Sequence, residues 1–366
     1  MKRIIISIIS ILIVIAMCVS IAVFTQPSIP AGAEAKIAVF TRNKPHAEIT
    51  TAIVTEDETI IKAYGHNGKE IEVPERDYEL GGITKTFVGA ICARAIGEGL
   101  ISFNDRAGDC LPLGQGIYNA SVIDLVTHTS AYGSYTAEKY SSAKLRAGKN
   151  PFAGIRNSDI ILAMDNFRLL QSPPFMYSYS DFGTAILGLM ASSAYGTDIY
   201  TLLSIYVQKE LELQDTYIAT EDSEKSPDNG WIWDRDEAFI SAAGLTSNIN
   251  DMIKYASMYL NSTRPEFTEA ARILCEVNND LSIGYFWELN HEGTILYQGG
   301  ETSNYASYIA IDLENHIAVI VLSNYPNDKY GDMADITKAL LSEYQPQDIS
   351  TDEPAVESQI ADTAES

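Results

Sequence analysis

The sequence has few cysteines and no clustered metal ligands. Four of its 366 residues are cysteine; Cys18 lies in an apolar run at the amino terminus, which leaves Cys92, Cys110 and Cys275 in the rest of the chain. An odd number of thiols without metal-ligand spacing predicts neither a disulfide framework nor a zinc site. We therefore expect isolated thiols, no metal site and no cofactor.

Positive charge is also scarce. The chain has 25 Lys and Arg against 49 Asp and Glu, which gives a formal net charge of -24 at pH 7. No basic patch interrupts this acidity, so we expect no nucleic-acid partner. With 46% hydrophobic residues, the chain can form one large domain or two lobes that share a core.

One long apolar run stands at the amino terminus. Lys2 and Arg3 precede Ile4–Phe24, which carries no charge and matches the ~20 residues that cross a bilayer as a helix. A secretory h-region is shorter, about 7–15 residues. Residues 1–25 are therefore interpreted as a single membrane anchor that leaves the domain outside the cytoplasm. Secretion after cleavage of a signal segment is the alternative, and a Pro/Ala/Gly-rich linker at 26–36 follows.

The part from residue 37 to residue 344 alternates between strand and helix patterns. Short apolar runs predict strands at Ile37–Thr41, Ile49–Val54, Thr59–Tyr64, Ile283–Leu289, Thr294–Gln298, Tyr305–Asp312 and Ile317–Asn324. Helical spacing predicts helices at Lys85–Glu98, Asp159–Leu170, Ala185–Ala194, Ile199–Leu213 and Asp332–Tyr344. Thr246 or Ser247 is expected to cap a further helix. Residues 345–366 are acidic and poor in large apolar side chains, which predicts a disordered tail.

A double glycine precedes the first of these helices, in Tyr78-Glu79-Leu80-Gly81-Gly82-Ile83-Thr84-Lys85-Thr86-Phe87. Glycine lets the backbone turn sharply and approach a ligand. Lys85 lies one helical turn after Gly82 and on the same face. Free amides at a helix start favour an anion or a developing oxyanion.

This stretch resembles the nucleophile segment F-E-L-G-S-x-[ST]-K-T-F of the penicillin-recognising serine hydrolases, which include class C β-lactamases, D-alanyl-D-alanine carboxypeptidases and related esterases. In that family Ser-x-x-Lys places the attacking hydroxyl one turn from its lysine. Lys85 takes the lysine position, but Gly82 stands where the serine would be. Thr84 does not replace the serine, because residues two apart on a helix point about 200° apart.

A second segment, Pro173–Gly188, resembles P-G-x-x-F-x-Y-S-[ND]-x-G-[FY]-x-L-L-G of the same family. The resemblance places Tyr179 at the tyrosine that works with the lysine, and Asp181 at a residue that contacts substrate amides. A neighbouring ammonium favours a phenolate, so Lys85 and Tyr179 together are implied as a proton-transfer pair. Ser121–Ala131 also resembles a family motif, and its His128 is interpreted as ordering a loop rather than acting as a base.

A third segment, Tyr297–Asp312, resembles [HK]-x-G-G-T-P-G-[FY]-x-[ST], the strand that offers a second oxyanion donor in relatives. The resemblance implies that Gln298, Gly300 and Glu301 contact substrate. Gln298 replaces the basic side chain, however, and Glu301 takes a position that is usually small. A carboxylate at residue 301 repels an anionic substrate unless it points away.

The resemblance covers roughly residues 37–344 and implies an α/β (α+β) fold of the β-lactamase/transpeptidase type. This fold is an antiparallel sheet flanked by helices, with a mostly helical lobe inserted between its amino- and carboxy-terminal segments. The implied function is that of an extracytoplasmic, membrane-associated serine-hydrolase homologue that is impaired or inactive in acyl-enzyme chemistry. It keeps a cleft for a cell-wall-type peptide or another amide or ester ligand.

Two alternatives to this function stay open. An active β-lactamase, carboxypeptidase or esterase is expected if Gly82 is an engineered or erroneous residue, or if water attacks directly with Lys85 and Tyr179 as base. A non-catalytic surface scaffold is expected if the anchor and the tail matter more than the cleft.

Overall fold

The computed structural model describes residues 32–114, 119–132, 149–167, 175–329 and 331–346. The predicted anchor, most of the predicted linker and the tail from residue 347 lie outside these ranges, so those assignments stay predictions. No helix within the described ranges is both long and apolar enough to cross a bilayer.

The described part of the chain begins with a helix, and strands and further helices follow in mixed order. The strands are β1 Ile49–Val54, β2 Thr59–Tyr64, β3 Glu70–Ile71, β4 Tyr78–Glu79, β5 Tyr217–Ile218, β6 Leu245–Ser247, β7 Cys275–Asn278, β8 Leu281–Ile283, β9 Glu288–Leu289, β10 Ile295–Glu301, β11 Ala306–Asp312 and β12 Ile317–Ser323. The helices are α1 Ala33–Thr41, α2 Thr84–Gly97, α3 Ala107–Cys110, α4 Val122–Val126, α5 Asn157–Asp165, α6 Asp181–Tyr195, α7 Ile199–Ile205, α8 Ile240–Ala243, α9 Ile249–Leu260, α10 Pro265–Ala270 and α11 Met333–Tyr344.

A nine-stranded sheet organises the molecule, with the order β3-β2-β1-β12-β11-β10-β9-β8-β7. Each pairing in it is antiparallel. The central strands β1, β11 and β12 are buried along their whole length. Both faces of these strands are covered, which explains why their sequences do not alternate between apolar and charged residues.

Helices cover the two faces of this sheet. On one face, α1 and α11 pack through residues such as Phe40 and Leu340. On the other face lies the larger core, in which α2, α6 and α9 contribute buried side chains such as Phe87, Ile186 and Met252. The expected fold class, an antiparallel sheet flanked by helices with a mostly helical middle portion, is confirmed.

The predicted strand Ile37–Thr41 is wrong. These residues form the end of α1, in which Ile37, Phe40 and Thr41 are buried at helical spacing. Their apolar run was too short to separate a strand from a buried helix. The helix also takes in residues 33–36, which are predicted as part of the linker.

Other boundaries differ more locally. The predicted strand Ile283–Leu289 is two short strands, β8 and β9, separated by a turn in which Phe286 has a φ of 67°. The predicted helix Asp159–Leu170 ends at Asp165, and its last predicted residues lie outside the described ranges. Helix α7 ends at Ile205 and continues as one π-type turn. The cap of α9 is neither Thr246 nor Ser247, which belong to β6; it is Asn248, whose side chain accepts the amide of residue 251.

Candidate active site

The double glycine lies directly under strand β10. Gly81 has a φ of 49°, in the left-handed region, and a Cβ built on it would stand 2.7 Å from the Glu301 amide nitrogen. A Cβ on Gly300 would stand 1.9 Å from the Leu80 carbonyl oxygen. The strand and the turn are therefore in contact through backbone atoms. Only glycine at these two positions allows such an approach.

Strand β10 also occupies the space beside Gly82. A Cβ built on Gly82 would stand 2.5 Å from the Gly299 carbonyl oxygen and 2.9 Å from the Tyr179 hydroxyl. The first of these distances is well inside van der Waals contact, and it involves backbone that cannot rotate away. A serine at residue 82 consequently does not fit without a shift of the strand.

Lys85 projects from the first turn of α2 into the interior and is 1% exposed. Its Nζ lies 2.8 Å from Asp181 Oδ1 and donates a hydrogen bond of 2.8 Å to the Ala242 carbonyl. Burial alone would lower the pKa of Lys85, but the charge of Asp181 and the neighbouring Tyr179 raise it to about 12. The side chain is therefore an ammonium at neutral pH.

Tyr179 lies beside this ammonium, with Lys85 Nζ 4.8 Å from the centre of its ring. The pKa of Tyr179 is nevertheless raised, because removal from water outweighs the lowering by Lys85. Lys85 does favour the phenolate, as expected, but its effect on the pKa of Tyr179 is smaller than that of burial. At neutral pH the pair consists of a phenol and an ammonium.

His128 is a structural residue, as interpreted from the sequence. It is 2% exposed, its Nδ1 accepts the Ser180 amide at 3.2 Å, and its carbonyl accepts the Ser178 amide at 2.8 Å. Burial lowers its pKa to about 3, with a further contribution from the charge of Lys85. The neutral ring thus holds the segment that carries Tyr179.

Two altered residues of the third motif differ in burial: Gln298 is buried and Glu301 is exposed. Gln298 is 4% exposed and donates from Nε2 to the Phe286 carbonyl at 2.6 Å, while its Oε1 accepts the Gly299 amide at 2.9 Å. Both ends of its amide are thus held by backbone. Glu301 is exposed at the end of β10, and one of its oxygens accepts a hydrogen bond of 3.0 Å from Asn327.

One cavity of about 390 Å³ gathers the residues that the sequence singled out. Its walls include Gly82, Lys85, Tyr179, Asp181, Gln298, Gly300 and Glu301. A larger cavity of about 780 Å³ opens elsewhere, beside Arg76 and Tyr325, and contains none of them. The seven residues come from α2, α6, β10 and the loops before them, so only the fold brings them together.

The family model described as Beta-lactamase matches residues 45–343 of this chain. The chain belongs to the beta-lactamase family. A beta-lactamase from Providencia stuartii is 25% identical over 230 residues, which cover 59% of this chain and 56% of that protein. Protein flp from Staphylococcus aureus strain MW2 is 21% identical over 298 residues, covering 74% of this chain and 57% of that protein. The chain thus spans little more than half the length of these curated relatives.

Solved structures from this family share the fold. A penicillin-binding protein homologue from Pyrococcus abyssi, described as octameric, superposes with a TM-score of 0.68 at 20% identity and covers 84% of this chain and 74% of its own. A beta-lactamase/D-alanine carboxypeptidase from Pseudomonas syringae gives a TM-score of 0.67 at 14% identity, and the match covers 86% of this chain and 98% of that chain.

The sequence analysis missed carboxyl groups in and beside the cavity: Glu288 and Asp332 line it, and Glu79 lies three residues before Gly82. Glu79 is 4% exposed and accepts hydrogen bonds from the Trp231 amide and the Thr302 hydroxyl. Burial raises its pKa to about 7, although these hydrogen bonds lower it. Its place within the first family motif was a signal for it. Glu288 lines the cavity and had no such signal, because only the pairing of β9 with β10 brings it there.

The arrangement lacks the side chain that a serine hydrolase of this family acylates. Residue 82 offers no atom to acylate, and β10 covers the place where one would be. Lys85 and Tyr179 are both protonated at neutral pH, so they can donate hydrogen bonds but cannot accept a proton from a nucleophile. Within the described residues, no group of His, Cys, Asp and Glu side chains could hold a metal ion.

Proposed function

We propose that this family member binds a peptide or amide ligand in its cleft and does not form an acyl-enzyme. The domain is held outside the cytoplasm by the apolar segment Ile4–Phe24. The ligand is of the cell-wall-peptide type that a penicillin-binding protein homologue or a carboxypeptidase would meet. The binding is reversible because Gly82 offers no nucleophile.

The proposed loss of acylation rests on one distance at Gly82. The Gly299 carbonyl oxygen stands 2.5 Å from the position of a Cβ on Gly82. A missing serine alone could be a recent single change in an otherwise intact site. Strand backbone this close to the Cβ position supports the proposal that the surrounding structure has also adapted to glycine.

The retention of a binding site rests on the rest of the cleft. A cavity of about 390 Å³ lies within the range of small-molecule sites, about 300–1,000 Å³. The exposed edge of Asp181 and the polar groups of β10 face it, and these groups suit the hydrogen-bonding groups of an amide.

Covalent labelling tests the first part of the proposal. The full-length protein is incubated with a fluorescent penicillin and separated on a denaturing gel, with an active class C β-lactamase as the positive control. We expect no labelled band from this protein. Stoichiometric labelling of the unmodified chain would overturn the proposal.

Ligand binding tests the second part. Titration calorimetry with N-acetyl-D-alanyl-D-alanine amide should give a saturable signal that a bulky substitution in the cleft wall, Gly299→Trp, abolishes. A signal that survives this substitution would mean that the amide binds elsewhere.

Hydrolysis by direct attack of water is the competing function, and the retained Lys85 and Tyr179 favour it. Turnover of a chromogenic cephalosporin or ester by the unmodified protein, lost in Lys85→Met, would establish it. We expect no turnover, because both side chains already carry their protons at neutral pH.

Membrane attachment is tested separately. Fractionation of cells that express the full chain should place it in the membrane, and deletion of residues 1–25 should release it. Protection of the intact chain from protease added outside the cytoplasm would contradict the proposed orientation.

A further inference from the structure

The walls of the cleft carry an excess of negative charge. Among the described residues that line it, four have carboxyl groups and one has an ammonium group: Asp181, Glu288, Glu301 and Asp332, against Lys85. None of the four carboxyl groups belongs to a buried residue. Each of them is therefore at least partly exposed, and Glu301 is the most exposed.

The single ammonium does not offset this charge for a ligand. Lys85 is 1% exposed, forms an ion pair of 2.8 Å with Asp181 and donates to the Ala242 carbonyl. Gln298, at the position that is basic in relatives, has both ends of its amide bound to backbone. Neither side chain is available to hold the carboxylate of a ligand.

The remaining carboxyl groups have polar partners, and the structure gives them no ion pair with a described Lys, Arg or His. Glu301 accepts a hydrogen bond from the Asn327 amide at 3.0 Å. Glu288 accepts one from the Tyr177 hydroxyl, and Lys338 is near enough to act on its pKa, which burial raises. These contacts therefore reduce the negative charge of Glu288 and Glu301 only in part.

Helix dipoles do not reverse this balance. The Gly82 amide, near the start of α2, is covered by β10, since a Cβ on Gly300 would stand 2.7 Å from that nitrogen. Asp332 caps α11 by accepting the Asp335 amide at 2.7 Å. The positive ends of these helices are therefore closed to an anionic ligand by strand backbone and by an aspartate.

We propose that the cleft selects ligands that carry a positive charge, such as an amine or guanidine attached to an amide, and discriminates against carboxylates. This inference rests on the proposed function, which gives the cleft an amide ligand. Glu301 is the main determinant, since it is the most exposed of the four carboxyl groups and stands in a position that is usually small in relatives.

Three matched probes test this inference in the full-length protein: N-acetyl-D-alanyl-D-alanine, its carboxy-terminal amide and its carboxy-terminal 2-aminoethylamide. They share one backbone and carry charges of opposite sign or none. A unit charge about 6 Å from one carboxylate changes affinity about threefold in a water-like dielectric, and more where the dielectric is lower. We expect the cationic probe to bind about threefold tighter than the amide and the anionic probe about threefold weaker.

Glu301→Gln should narrow the spread, meaning the difference in affinity between the cationic and the anionic probe. Glu314→Gln is the matched control, because Glu314 is exposed in the turn between β11 and β12, away from the cleft. It should leave the spread unchanged. Raising the salt from about 0.02 M to about 0.5 M should also narrow the spread in the unmodified protein.

The outcomes separate this inference from the function on which it rests. Tightest binding of the anionic probe would overturn the charge preference. A spread that Glu301→Gln does not alter would overturn Glu301 as its main determinant. Either result would leave an amide-binding cleft in place. Failure of all three probes to bind would remove the proposed binding function, and the charge preference with it.

Discussion

Replacement of Gly82 by alanine tests whether strand β10 has closed over the nucleophile position. The added Cβ would stand 2.5 Å from the Gly299 carbonyl oxygen and 2.9 Å from the Tyr179 hydroxyl. Overpacking of this kind costs about 1–3 kcal/mol, while loss of glycine stabilises by about 0.4–1 kcal/mol through the unfolded chain. We expect a net loss of about 1–2 kcal/mol in the free energy of unfolding.

Gly97 provides a matched control on the same helix. It is exposed at the end of α2, and a Cβ built on it would have no neighbour within 4 Å. Gly97→Ala should therefore stabilise the protein by about 0.5–1 kcal/mol. Urea unfolding of the parent and the two variants, followed by circular dichroism, measures both effects with the same substitution.

The serine variant extends the test from stability to chemistry. Gly82→Ser restores the family motif, yet its side chain starts from the same crowded Cβ. We expect it to lose stability like Gly82→Ala and to stay unlabelled by fluorescent penicillin. Unchanged stability of Gly82→Ala, together with labelling of Gly82→Ser, would refute the idea that the strand excludes a nucleophile.

Two further predictions concern buried charges. Glu79→Gln should flatten the pH dependence of stability. The pKa of Glu79 is raised from 4.5 to about 7, so the parent protein loses stability as the pH rises from about 4.5 to about 7. Denaturant unfolding should show that the free energy of unfolding of the variant, relative to the parent, is up to about 3 kcal/mol higher at about pH 8 than at about pH 4. A variant with the parent's pH profile would contradict this. Asp181→Ala leaves Lys85 buried without its counter-ion and should cost about 3 kcal/mol, the low end of the range for a broken buried pair, because Asp181 is 27% exposed. Adding Lys85→Met should recover most of this loss. Equal stabilities of the single and double variants would show that the ion pair carries no such energy.

The local sequence predicted most of the regular structure around the site. Strands β1 and β2 match their predicted bounds. Helix α2 differs from its prediction by one residue at each end, and α11 begins one residue later than predicted. These elements have long apolar patterns or clear caps, such as Asp332 before α11. The short run at Ile37–Thr41 failed, because a few apolar residues fit a buried strand and a buried helix equally well.

The motif residues of the site could be predicted, but their protonation could not. The motifs named Lys85, Tyr179 and Asp181, and the fold brings them to one cavity. The balance between burial and charge at Tyr179 depends on how much of the chain surrounds its hydroxyl, and that balance raises its pKa. A motif gives the neighbouring charge and does not give the burial.

The sequence alone determined the family, the order of its motifs and the absence of a serine at residue 82, because each of these is carried by residues that are neighbours along the chain. Only the tertiary structure decided that β10 fills the space beside Gly82 and that Glu288 and Asp332 line the cleft with Glu301. These contacts join segments more than 200 residues apart or elements that pair across the sheet. Their distances follow from packing, which no local pattern encodes.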